Sequence, residues 1–300
     1  MSQLRQRLTV EDEPFLTVRS TATGCPSGFV IAPHRHEWHQ LVYARVGAMT
    51  VQAGRSSWMT PPGKAVFVPA GQLHSIRMWG NVAIRSLYFP ASLQLAYNDC
   101  CVLSVTPLLR ELILRVIELG SLDSRVASDG ILLNILLDEL QRTPIEPLML
   151  PLPADPRALA VARHVLASPA GAETLDDLAH LYGSARRTLE RLFSRETGFS
   201  FGLWRQKARM LDSLRLLAEG SSVTEVSLET GYTSVSAFIA AFRETFGRTP
   251  AKIGAGFAPA LQDPGAMRLP GSIQLLRGDR TDTGKLRERR KLARRNPADQ

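Results

Sequence analysis

His34, His36 and Gln40 sit close together in the chain, and His74 follows a Pro69-Ala70-Gly71 turn. The first three positions are even-numbered, so on a single strand they would point to one face. Three imidazoles and one neutral amide form a donor set for a divalent ion such as Ni, Fe, Mn or Zn. The same side chains can instead line an ion-free pocket, hydrogen-bonding a small effector or one another. His39 falls on the opposite face of that strand. His164 and His180 lie in helical patterns without a partner at ligand spacing.

A second group of side chains suits nucleic acid. Between Arg186 and Glu196, Leu189, Leu192 and Phe193 mark the buried side of a helix, which leaves Arg186, Arg187, Glu190, Arg191 and Ser194 on its exposed side. An arginine near the start of such a helix can bond guanine O6 and N7 together, and a glutamate can accept from cytosine N4.

This helix belongs to a pattern written twice. Thr174 begins a short amphipathic helix that turns at Gly183, and the helix after it ends at Gly198. Ser222, Gly231 and Gly247 repeat that punctuation. Thr174 with Asp177, and Ser222 with Glu225, are capping boxes that start the first helix of each pair. A short helix, a glycine turn and a second helix outline a helix-turn-helix, and two copies at a fixed spacing strengthen the outline. Between them, Trp204, Ala208, Leu211 and Leu214 through Ala218 predict one long helix, a strut between the units.

Residues from about 15 to 90 read as short strands separated by turns, as in a sandwich or barrel. From Pro107 the period turns helical through Leu108, Leu109, Leu112, Val116 and Leu119. A second helix from about Val126 to Leu140 is apolar on more than one side, which predicts burial against a second subunit. Leu112, Val116, Leu133 and Leu137 are the expected dimer contacts. Five prolines within residues 143–156 exclude a continuous helix there. These features divide the chain into a strand-rich domain (1–103), which the resemblances below imply senses an effector, a helical dimerisation segment (104–142), a proline-rich linker (143–156), a helical DNA-binding domain (157–256) and a basic, disordered tail (257–300). The fold class is α+β and multidomain.

The 300 residues carry a formal net charge of +8, unevenly spread. Residues 1–150 hold 13 basic and 12 acidic side chains, 151–260 hold 13 and 11, and 261–300 hold 10 and 5. The helical region is therefore only mildly basic, and DNA binding must rest on where its arginines stand. Three cysteines, two of them adjacent, make no disulfide framework, and no apolar run is long enough to span a membrane. A soluble cytoplasmic protein is expected.

The run Arg187-Thr-Leu-Glu-Arg-Leu-Phe-Ser-Arg-Glu-Thr-Gly198, with Gly231-Tyr-Thr-Ser-Val-Ser-Ala-Phe-Ile-Ala-Ala-Phe-Arg243 and Phe246-Gly-Arg-Thr-Pro250, resembles the AraC/XylS family of transcriptional regulators. The resemblance implies two helix-turn-helix units in successive major grooves of double-stranded DNA. By position, base contacts fall on Arg187, Glu190 and Arg191 in unit one, and on Val235, Ser236, Ile239 and Ala240 in unit two. Ala240 replaces a frequent arginine, Ala185 a common capping serine, and Ile253-Gly254 the usual Tyr-Arg. Unit one is therefore expected to supply most base discrimination, and unit two mainly phosphate anchoring through Arg243.

The spacing around His34, His36, Gln40, Gly47, Gly63, Pro69, Gly71 and His74 resembles both cupin motifs, with Gln40 at the usual glutamate and Met78 at a common asparagine. That resemblance implies a small double-sheet β-barrel with its effector pocket inside. The amide removes a ligand charge, which weakens the case for metal. Together the resemblances imply a homodimeric, effector-controlled regulator that is not an enzyme and that engages RNA polymerase if it activates. The alternative is a metal-dependent cupin enzyme fused to a DNA-binding domain.

Overall fold

Turn residues placed between runs of β-branched and aromatic side chains give ten strands in a computed structural model that describes residues 16–257. Except for its first residue, the expected basic tail lies outside the described residues. The strands are β1 (Leu16–Cys25), β2 (Val30–His34), β3 (Trp38–Ala53), β4 (Ser56–Thr60), β5 (Lys64–Val68), β6 (His74–Pro90), β7 (Cys101–Ser104), β8 (Ser121–Asp123), β9 (Ile145–Glu146) and β10 (Met149–Pro151). Their pairing follows the path β8-β1-β6-β3-β5-β7-β9, with β2 on β6, β4 on β3 and β10 on β4. Among the described residues nothing pairs β8 with β9, so the expected closed barrel is corrected to one open sheet.

Strand alternation divides the apolar residues between two faces. One face gathers Val42, Val66, Val68, Ile76, Met78 and Ile84. The other gathers Leu41, Phe67, Leu87 and Phe89, and α1 (Pro107–Leu119) and α2 (Ala127–Arg142) cover it. Burial removes Leu112 and Val116 from the expected dimer contacts. Leu112 and Val116 are buried within their own domain, and Leu133 and Leu137 pack against the same core. Ile131 (63% exposed) and Ile135 (43%) are the large apolar side chains of α2 that face outward.

The proline-rich segment is stitched into the sheet, since β9 pairs with β7 and β10 with β4. Helices resume at α3 (Pro156–Ala167), where Asp155 accepts from the Arg157 N–H and proline fills the first position. Then come α4 (Leu175–Leu181), α5 (Arg186–Thr197), α6 (Phe201–Ala218), α7 (Val223–Glu229), α8 (Val235–Phe246) and α9 (Pro250–Gly254). Both capping boxes form, Thr174 with Asp177 and Ser222 with Glu225. Both α5 and α8 end at a left-handed glycine, Gly198 and Gly247.

The strut α6 buries residues on most of its circumference because helices pack on one side and the sheet on another. Its indole Trp204 Nε1 donates to the Pro151 carbonyl at 2.7 Å. Near its end, the Arg215 guanidinium lies 5.5 Å from the Trp79 ring. A Cβ at Gly80 would overlap the carbonyl oxygen of Ala218, so glycine permits this close approach of β6 to the strut.

Candidate effector pocket and nucleic-acid interface

His34, His36 and His74 converge, although not on one strand face. His34 ends β2, His36 lies in the turn before β3, Gln40 lies on β3, and His74 opens β6 opposite His34. A turn separates His34 from Gln40, so the expected single strand face is corrected to a meeting of two strand ends and a turn. That turn is fastened to the one delivering His74. The Gly71 N–H donates to the His36 carbonyl at 2.8 Å, and the Ala70 N–H donates to His39 Nδ1 at 3.1 Å. His39, on the opposite face of the strand, thus anchors the Pro69–Gly71 turn.

Each imidazole is held in one orientation by its Nδ1. His34 bonds the Ala32 carbonyl at 2.9 Å, His36 the Trp38 carbonyl at 2.7 Å and His74 the Gln72 carbonyl at 2.9 Å. A carbonyl only accepts, so each Nδ1 carries the proton and each neutral ring keeps its lone pair on Nε2. Ring centroids of His34 and His74 are 4.3 Å apart, and those of His36 and His74 are 5.1 Å apart. Nitrogens from the three rings lie within 4.8 Å of one another. Among the described residues, His74 Nε2 is buried without a hydrogen-bond partner.

Burial favours the neutral form of His34 and His74. His74 is pushed down to about 4, first by burial and then by the neighbouring His34 and His36, against the bond to Gln72. His34 is lowered by burial and by His36, against its bond to Ala32. Gln40 closes the group. Its Oε1 lies 3.0 Å from His36 Nε2, while its Nε2 donates to Tyr88 Oη at 3.0 Å and Ser86 Oγ at 3.3 Å. With His36 Nδ1 protonated, a lone pair faces an amide oxygen there. A cation between them, or a half-turn of the amide, relieves that contact. Tyr88, 5.6 Å edge-on from His36, was absent from the sequence reading because its place beside Gln40 depends on β3–β6 register.

The second site is the exposed side of the two helix pairs. On α5, Leu189, Leu192 and Phe193 are buried, Arg187, Arg191 and Ser194 are exposed, and Glu190 is half-buried. Arg186 is also exposed but pairs with Asp176 at 2.7 Å, so a DNA contact there must compete with a carboxylate. On α8, Ser236 and Arg243 are exposed, while Val235 and Ile239 are half-buried. Many arginines elsewhere sit against carboxylates, including Arg110, Arg115, Arg142, Arg157 and Arg215. Among the described residues, Arg187, Arg191 and Arg243 have no such partner, nor do exposed Arg248 and Lys252 beyond α8. The sequence reading stopped at Arg243 because nothing in the helical period marks those last two.

Residues 178–255 match the family described as helix-turn-helix domain, and residues 19–131 match the AraC-like ligand binding domain. The chain is 32% identical over 219 residues to the HTH-type transcriptional regulator NimR of Escherichia coli K12, spanning 73% of this chain and 80% of that one. It is 37% identical over 106 residues to the HTH-type transcriptional regulator RipA of Corynebacterium glutamicum, covering 35% of this chain and 32% of that one. A solved structure of ToxT from Vibrio cholerae aligns with 80% of this chain and 98% of its own at 12% identity. Its TM-score of 0.35 is too low to transfer any detail.

Proposed function

The chain belongs to the AraC family of helix-turn-helix transcriptional regulators, and from that premise we propose that its effector is taken up at His34, His36, Gln40 and His74. It is a DNA-binding regulator under small-molecule control, and its relatives are regulators rather than enzymes. The orphaned Nε2 of His74 carries the pocket reading, because a buried polar atom without a partner costs stability unless something bonds it. We read the β-domain as an opened cupin sheet whose neutral, acceptor-rich cluster favours a donor-bearing or cationic guest over a free anion.

The residues fit a divalent ion. Three imidazoles whose Nδ1–H groups are held by carbonyls are oriented as metal-bound histidines are, with Gln40 Oε1 as a fourth donor. Ni, Fe, Mn or Zn would supply Lewis acidity and an anchoring point for an effector's own donor atom. The protein's part is to hold the rings neutral and aimed inward.

Occupancy then reaches DNA binding along β6. That strand carries His74 at its start, with Trp79 and Gly80 against α6 farther along. In this reading Arg187, Glu190 and Arg191 of α5 read bases with support from Ser194. Val235, Ser236 and Ile239 of α8 contact the groove, and Arg243 anchors phosphate. Two copies associate through α2 at Ile131 and Ile135, RNA polymerase is engaged if the regulator activates, and the protein works in the cytoplasm. Among the described residues no helix is long and apolar enough to cross a membrane.

The test is to recover bound fragments from genomic DNA with the full chain, then titrate them with and without divalent ions and candidate effectors. His36→Ala should abolish the effector response and keep DNA binding that depends on Arg187. A variant lacking all three histidines that still responds normally would remove the pocket from the mechanism. Ile131→Glu should shift sedimentation toward monomer.

A further inference from the structure

The two helix pairs are joined by more than the strut. Arg205 and Arg209 lie one turn apart on α6, and both reach the loop between α3 and α4. Arg205 Nη1 donates to the Glu173 carbonyl at 2.6 Å, and its Nη2 donates to the Gly171 carbonyl. Arg209 Nε donates to the Pro169 carbonyl at 2.7 Å, and its Nη2 donates to the Gly171 carbonyl at 3.1 Å. The two guanidiniums therefore hold three carbonyls within residues 169–173 of that loop, with Gly171 shared between them. That loop runs directly into Thr174, the cap of α4, against which α5 packs.

Arg209 also faces the other pair. A Cβ at Gly231, the turn between α7 and α8, would stand 3.1 Å from Arg209 Nη2 and 3.2 Å from its Cζ, and 3.5 Å from Ala170 Cα. With φ at +80°, Gly231 both makes the turn and leaves room for the guanidinium. The next residue, Tyr232, packs edge-on at 5.6 Å against Phe238 in the core of α8. An unbroken chain of contacts thus runs from the cap of α4, through residues 169–173 and Arg209, to the turn and core of unit two. A planar guanidinium is suited to such a joint, because its donors are fixed in direction and it can bond several carbonyls at once.

We infer that Arg205 and Arg209 are positioning residues that lock the two helix-turn-helix units at one separation, and so set which operator spacing the protein accepts. This rests on the reading that both units contact DNA. Neither arginine need touch a base, so its effect should appear as tolerance of spacing rather than altered base preference.

The experiment selects a site from random-sequence duplexes with the full chain. It then measures affinity for that site and for versions with one base pair added or removed between the two protected regions. Wild type should lose about tenfold or more on either change. Arg209→Gln should bind the selected site less tightly and show a penalty for altered spacing of about threefold or less, with base preference within each protected region unchanged. Arg209→Lys keeps the charge but loses the fork, and should fall between the two. It also keeps the test open if the glutamine variant does not fold. Unchanged spacing ratios in both variants, or equal weakening at every spacing, would overturn the inference, as would a wild type indifferent to spacing. Failure of the underlying reading looks different, since selection would then yield no site or protection under one unit alone.

Discussion

The histidine cluster and the exposed faces of α5 and α8 both gather nitrogen-rich side chains, and they treat charge in opposite ways. In the β-domain, burial keeps His34 and His74 neutral, and each ring's proton is given to a backbone carbonyl. On α5 and α8, Arg187, Arg191 and Arg243 are exposed cations without a carboxylate partner among the described residues. A buried site without charge recognises by geometry and lone pairs. An exposed site with free cations gains affinity from phosphate and selectivity from direction. The difference teaches where each function is fragile, to acid in the first case and to salt in the second.

Salt should give the largest contrast. If Arg243, Arg248 and Lys252 each neutralise a phosphate, three such contacts per protomer predict a loss of roughly 40-fold in affinity for a fourfold rise in salt. Effector binding to the same protein should hardly move. Titrations of labelled operator and of effector across a salt series would show it, and equal sensitivity of both would erase the contrast.

Within the DNA-facing surface, the two units differ in the same sense. Arg187→Ala or Arg191→Ala should each cost about 1–3 kcal/mol on the specific site and relax base preference beneath unit one. Ser236→Ala should cost less, since Val235 and Ile239 beside it offer no donor. Affinities on a panel of single-base operator variants would decide this. Sharper discrimination beneath unit two would reverse the assignment.

Acid should expose the pocket. His74 takes up a proton near pH 6.5 when unfolded and only near pH 4 when folded, so the unfolded chain binds more protons between those values. Stability of the β-domain should be full above pH 6.5, fall as pH drops through that window, and level off near 4. His34, shifted the same way, adds to the slope. Hydrogen exchange in β2 and β6 should follow this curve in the apo protein, and replacing His74 with glutamine should flatten it. A full-length protein whose β-strand exchange ignores that window would contradict the buried neutral state.

The helical region was legible in outline because its rules are local. The 3.6-residue period, the two capping boxes and the terminal glycines place α4 to α8 within a few residues of their observed ends. The β-domain was legible only through motif spacing. Its strand path, the placing of His36 in a turn and the fastening of the Pro69–Gly71 turn by His39 arise from pairings between distant residues. Leu112 and Val116 were expected at a dimer contact for a related reason. Periodicity finds an apolar face on each helix, but α1 buries Leu112 and Val116 against its own sheet, and only the sheet's position reveals that. Arg205 and Arg209 escaped notice because arginines on a strut look like solvated surface until the loop they hold is placed beside them.

The smallest effect probes how alike the two recognition helices are at their starts. Ser234 caps α8 by accepting from the Ala237 N–H at 3.2 Å, whereas Ala185 offers α5 no side-chain cap. The first turn of α5 compensates by tightening, and the Thr188 N–H donates to the Ala185 carbonyl at 2.9 Å. Ala185 already has extended backbone, φ −89° and ψ 141°, so a serine there needs no rearrangement to reach the same N–H. Because that N–H is partly satisfied, Ala185→Ser should stabilise by only about 0.5 kcal/mol, the low end for such caps. Ser234→Ala removes a cap whose donor has no such substitute, and should cost about 1 kcal/mol. Slower exchange of the Thr188 and Leu189 amides in the first variant, and faster exchange of Ala237 in the second, would register both changes without reference to global unfolding. Base preference should stay put in each, because the side chains facing the groove are untouched. If Ala185→Ser instead weakens DNA binding, the start of α5 lies closer to phosphate than its free arginines imply, and unit one grips the backbone as well as reading it.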